Sequence, residues 1–139
     1  MRAQFKAGKL AAAVLSLAAV VAAAPAAAGR DNDPDAYVTN YYTGGGTGGV
    51  LFAAGTTNQA CMNLGAPTID VISASPGVRL SIRPGTFVVT GTDYGYMVCQ
   101  GQRIPGVVVT GTGSGTAQIR VTYPPIGQWY THTLTLPGR

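Results

Sequence analysis

The chain contains no glutamate, and its only lysines, Lys6 and Lys9, lie near its start. Beyond residue 28 every cation is an arginine: Arg30, Arg79, Arg83, Arg103, Arg120 and Arg139. These six face five acids, Asp31, Asp33, Asp35, Asp70 and Asp93, which leaves a net charge of +1. The pI of 9.3 for the whole chain is therefore set by its first residues. A nucleic-acid footprint needs clustered Lys and Arg, and none exists here, so no nucleic-acid partner is expected. There is one histidine, His132, and no cysteine neighbours either Cys61 or Cys99. A zinc site lacks ligands on that inventory, and no metal or cofactor is expected. Paired-carboxylate chemistry would have to rely on Asp70 and Asp93. Ser73, Ser75, Ser81 and Ser114 sit in no nucleophile motif that would join His132 and an aspartate, so catalysis is not expected.

Two further motifs are incomplete. The glycine run Gly44 to Gly49 lacks the Lys-Ser or Lys-Thr ending and the following helix of a phosphate loop. It reads as a flexible surface loop. Asp31, Asp33 and Asp35 alternate like the first ligands of a calcium loop, but Ala36 stands where its glycine belongs and Tyr42 where its glutamate belongs.

The N-terminus has the three parts of an export signal. Arg2, Lys6 and Lys9 form a positive start, Leu10 to Ala24 is an uncharged apolar run, and Ala26 and Ala28 have the small-residue spacing of a cleavage site. The rival reading is a membrane anchor, but the run falls short of the roughly 20 residues a span needs. Cleavage after Ala24 is an alternative to cleavage after Ala28, which would leave Gly29 first. The expected organisation is a signal peptide over 1–28, a flexible leader over 29–36 and one domain over 37–139. No transmembrane segment is expected in the mature chain, and the destination is the periplasm or the extracellular space. There, an even pair of cysteines reads as a disulfide, Cys61 to Cys99.

From Thr68 onward the pattern has period two. Val78, Leu80 and Ile82 alternate with Arg79, Ser81 and Arg83, and Ala117, Ile119, Val121 and Tyr123 alternate with Gln118, Arg120 and Thr122. Thr68 to Ala74, Thr86 to Thr90, Tyr96 to Gln100, Val107 to Thr110 and Trp129 to Leu136 read as further strands, and Tyr37 to Tyr42 and Val50 to Ala54 as earlier ones. Ser75-Pro76-Gly77, Pro84-Gly85, Asp93-Tyr94-Gly95, Pro105-Gly106 and Pro124-Pro125 read as turns or breaks. The result is an all-β, antiparallel sandwich of about seven to nine short strands, with no helical periodicity after Ala28.

Gly115-Thr116-Ala117-Gln118-Ile119-Arg120-Val121-Thr122-Tyr123, a turn, and a Thr-rich last strand resemble the closing hairpin of bacterial immunoglobulin-like domains. The resemblance covers Thr68 to Leu136 and implies an immunoglobulin-like sandwich acting as a non-catalytic binding or structural module. Its partner would be a protein or polysaccharide of the cell envelope. No Trp lies between Cys61 and Cys99, so the cysteine pair departs from the antibody pattern. Gly111 to Gly115 and Pro124 to Trp129 also look like two loops of the chagasin family of peptidase inhibitors, which plug a cysteine-peptidase cleft. Thr92 to Tyr96 lacks that family's Asn-Pro-Thr-Thr. A small secreted enzyme is a third alternative.

Aromatic residues supply the candidate binding surface: Tyr41, Tyr42, Tyr94, Trp129 and Tyr130. Tyr41 and Tyr42 are neighbours, as are Trp129 and Tyr130, so in strands each pair points to opposite faces. At least one member of each pair is expected at the surface, where Tyr and Trp commonly anchor ligands. The bland alternative is that they cap the ends of a small core, and His132 likewise reads as a packed or edge residue.

Overall fold

The computed structural model describes residues 38–137. The signal peptide expected over 1–28, the leader over 29–36, the aspartates Asp31, Asp33 and Asp35, and Tyr37 lie outside the described residues. Nine strands follow one another: β1 (Asn40–Gly44), β2 (Phe52–Thr57), β3 (Asn63–Gly65), β4 (Thr68–Ala74), β5 (Arg79–Val88), β6 (Gly91–Tyr94), β7 (Arg103–Thr112), β8 (Gly115–Tyr123) and β9 (Gln128–Leu136). All their pairings are antiparallel. Among the described residues no helix is long and apolar enough to cross a membrane.

The strands form two sheets. The larger runs β5-β7-β2-β1-β6, with β3 also paired to β2, and the smaller runs β4-β8-β9. The period-two pattern sends one set of side chains from each sheet into a shared core. Tyr41, Phe52, Val107 and Val109 from the larger sheet meet Ile69, Ile119, Val121, Tyr123, Leu134 and Leu136 from the smaller. The larger sheet also buries part of its other face. Tyr42, Ala53, Phe87, Val89 and Ile104 form a second core with Cys99. The segment between β6 and β7 covers that core, and the Cys61–Cys99 disulfide ties it to the β2–β3 connection across a separation of 38 residues.

Four local expectations change, one of them at Asp93-Tyr94-Gly95, where Asp93 and Tyr94 lie in strand β6 and not in a turn. Pro84-Gly85 and Pro105-Gly106 do not turn the chain; β5 and β7 run straight through them, with Pro84 opposite Val107 and Gly85 opposite Gly106. Proline is tolerated there because β5 is an edge strand whose outer side needs no ladder donor. Gly106 is there because the sheet is crowded: a Cβ on it would stand 2.9 Å from the Phe87 ring. Tyr96 to Gln100 is not a strand but an irregular segment ending in a turn. Its entry is fixed by the buried Asn40, whose side chain accepts from the Tyr96 N–H (2.8 Å) and donates to Gln59 (2.9 Å).

Candidate functional site

Along the flank where β6 and β9 lie, a bulge determines the chemistry. β1 and β6 pair as Tyr41↔Tyr94 and then Tyr42↔Thr92, so Asp93 is the extra residue on β6. A bulge re-aims the side chain it carries. Thr92 braces it, donating to the Tyr41 carbonyl (3.0 Å) and accepting from the Tyr94 N–H (3.1 Å). Asp93 thereby reaches into the space between the sheets. Its Oδ2 accepts a hydrogen bond from the Tyr123 hydroxyl at 2.8 Å and lies 2.9 Å from His132 Nε2. One carboxylate oxygen thus ties β6 of the larger sheet to β8 and β9 of the smaller.

Aromatic rings surround this link. Tyr41 stacks on Tyr123, with centroids 4.4 Å apart and planes 6° apart. Tyr130 meets Tyr123 edge-on at 5.9 Å, and Tyr94 leans on Tyr41 at 5.6 Å. His132 packs against Phe52 at 4.6 Å. Each such pair adds about 0.5–1.5 kcal/mol beyond area burial. Burial, followed by the negative charge of Asp93 and the hydrogen bond to it, pushes the Tyr123 phenol far above its ordinary value of 10.0. Tyr41 is raised too, by burial first and then by Tyr130 and Tyr94.

The folded Tyr123 stays protonated where the unfolded phenol ionises, so its contribution is intact below about pH 10 and falls away above it. The slope is about 1.4 kcal/mol per pH unit. Urea unfolding followed across the alkaline range is expected to give a steeper loss for the native protein than for Tyr123→Phe. Equal slopes would remove Tyr123 as the cause.

The sequence-derived surface residues divide. Tyr41 and Tyr42 do point to opposite faces, but both are buried, which corrects the expectation that one of them reaches solvent. The reason is that β1 is an interior strand of a sheet with a core on each side, so neither face is open. Tyr94 is 60% exposed and Trp129 55%, and Tyr130 is half-buried. The fold gathers Tyr94, Tyr123 and Tyr130 around Tyr41. It leaves Tyr42 in the second core, where its hydroxyl donates to the Tyr96 carbonyl. Trp129 is on the outer face of the smaller sheet, with the Arg120 guanidinium 4.5 Å from its ring centroid. Tyr123 was legible only as an inward-facing strand residue, and nothing in its sequence neighbourhood announces Asp93 as its partner.

The glycine run between β1 and β2 forms one wall of an open cavity of about 260 Å³, lined also by Thr47, Thr86, Thr90 and Arg103. Arg103 donates to Thr86 there at 3.2 Å. The two loops likened to an inhibitor's wedge, at Gly113-Ser114 and at Pro124 to Gly127, lie at opposite ends of β8. A nine-residue strand separates them by roughly 25–30 Å, too far to enter one cleft side by side. Among the described residues no cluster of His, Cys, Asp and Glu is arranged to hold a metal ion. Comparison of the chain with family models, with curated proteins and with solved structures finds no match.

Proposed function

We propose that the chain is an exported, immunoglobulin-like β-sandwich that works as a non-catalytic binding module of the cell envelope or extracellular space. Its ligand is a protein or polysaccharide of that compartment. The observation that carries this reading is the exposed Tyr94 ring resting on the buried Tyr41–Tyr123 stack, with Tyr130 beside it. An aromatic side chain held by packed rings loses little freedom on binding, and such residues are the usual anchors of an interface. Trp129, steadied by Arg120, offers a second anchor on the adjoining face. The disulfide supports export, because such bonds persist in oxidising compartments. The closing hairpin of β8 and β9 supports the immunoglobulin-like reading.

Binding of the purified protein to isolated envelope and to envelope polysaccharide tests the proposal. Tyr94→Ala and Trp129→Ala are each expected to weaken binding about tenfold or more while leaving the melting temperature almost unchanged. No binding by the native protein, or full binding by both variants, would overturn it.

A further inference from the structure

Besides β3, whose three residues are too few to template another strand, the two sheets have four outer edges, β5 and β6 on the larger and β4 and β9 on the smaller. An unprotected edge strand is a template for another strand, and folded proteins blunt such edges with charge, proline, bulges or shortness. Three of the four are blunted. β5 carries Arg79, Arg83 and Pro84. β6 has four residues, with the bulge at Asp93. β4 carries Asp70 and has its own irregularity between Val71 and Ser73. β9 has none of these devices. It is nine residues long, holds no proline, lysine, arginine, aspartate or glutamate, and pairs with β8 through nine consecutive positions without a shift. Among the described residues no strand pairs with its outer side.

We infer that β9 is a homodimerisation edge, and that its occupant is β9 of a second copy of this chain, paired antiparallel about a two-fold axis. Self-pairing sets a condition that pairing with a foreign strand does not: any charge near the axis faces its own copy. β9 is the one edge of the four that meets it. Its sequence is also close to self-complementary. A register centred on Thr133 sets Thr131 opposite Thr135, and His132 opposite Leu134, each pair on one face of the sheet. The exposed Thr131, Thr133 and Thr135 continue the polar outer face across the axis, while the half-buried Tyr130 and His132, the latter already held by Asp93, lie on the inner face. The product is a six-stranded sheet, β4-β8-β9 joined to its copy. Isologous pairing consumes both β9 edges, and the remaining edges are the blunted ones, so assembly closes at two copies.

Sedimentation velocity over a concentration series of the disulfide-intact protein tests this. A reversible dimer is expected, with the β9 amides more protected from hydrogen exchange as concentration rises. Thr133 is exposed, so Thr133→Lys and Thr133→Glu are expected to fold normally. Each sets like charges against each other at the axis and should raise the dimer dissociation constant about fivefold or more. Mixing the two variants should restore association, because Lys then faces Glu. A protein that stays monomeric at every concentration would overturn the inference. So would a dimer indifferent to both substitutions, assembly continuing beyond two copies, or an extended segment of a different protein found protecting β9 in place of the second copy.

Discussion

Replacing Cys61 and Cys99 together with serine is expected to cost about 4 kcal/mol of stability. That is the loop-entropy value for a closure of this length, here a separation of 38 residues. For a domain of this size the melting temperature should fall by something on the order of 20 °C. The bridge also acts locally. Cys99 is buried in the second core, against Tyr42, Val89 and Ile104. The segment it belongs to is otherwise held by few bonds: Tyr96 to Asn40, the Tyr42 hydroxyl to the Tyr96 carbonyl and Cys99 N–H, and the Val89 exchange with Gly101 and Gln102. Without the bridge this cover should open before the inter-sheet core does, and hydrogen exchange should show it at residues 95–102 first. Cys61 has φ 64, a left-handed conformation that costs an L-residue roughly 1–2 kcal/mol. Cys61→Gly with Cys99→Ser should therefore recover about 1 kcal/mol relative to the double serine variant. Urea unfolding with and without reductant measures both. A loss below about 1 kcal/mol on removing the bridge would mean that the packing of the second core, not the cross-link, holds the cover.

What could be read in advance divides along a physical line. Strands β4, β8 and β9 were legible because each is a run of period-two alternation closed by a turn signal, and both are local properties. The disulfide followed from compartment and count alone. Pro84-Gly85 and Pro105-Gly106 carry turn signals but lie within strands, because a turn signal states only a local preference. Here the preference is overridden by ten consecutive pairs between β5 and β7 and by an edge position that spares Pro84 the need for a donor. Tyr96 to Gln100 reads as a strand because it is apolar, yet Met97 and Cys99 cover a sheet face instead of joining a ladder, while Tyr96 and Val98 point to solvent. At the site, the opposite orientation of Tyr41 and Tyr42 was readable, and their shared burial was not, since only the strand order puts β1 in the interior. The Asp93 link was out of reach for the same reason: a bulge is a slip between two strands, and Asp93 meets Tyr123 and His132 from 30 and 39 residues away.

Asp93→Ala is expected to destabilise the protein by about 2–4 kcal/mol, a large effect for a residue on a four-residue edge strand, because the carboxylate itself is largely buried. The removed carboxylate accepts from Tyr123 and engages His132, and both are lost together. The asymmetry between those partners sets the magnitude. His132 is partly open to solvent, so water can replace its bond. Tyr123 is fully buried, and its hydroxyl would be left without an acceptor, which costs the desolvation of that group outright. Removing both partners should therefore be milder than removing one. Asp93→Ala combined with Tyr123→Phe is expected to recover about 1–2 kcal/mol relative to Asp93→Ala alone, a coupling that a double-mutant cycle by urea unfolding reads directly. Asp93→Asn keeps an acceptor for the phenol and should fall between. The same variants bear on binding. Asp93 holds β6 to the smaller sheet, and Tyr94 is the next residue, so Asp93→Ala should also weaken ligand binding through a displaced Tyr94 ring. Tyr123→Phe keeps the Tyr41 stack and should leave binding near the native level. If Asp93→Ala costs the same with and without Tyr123→Phe, the carboxylate stabilises β6 by itself, and the link across the sheets is a contact without a coupling energy.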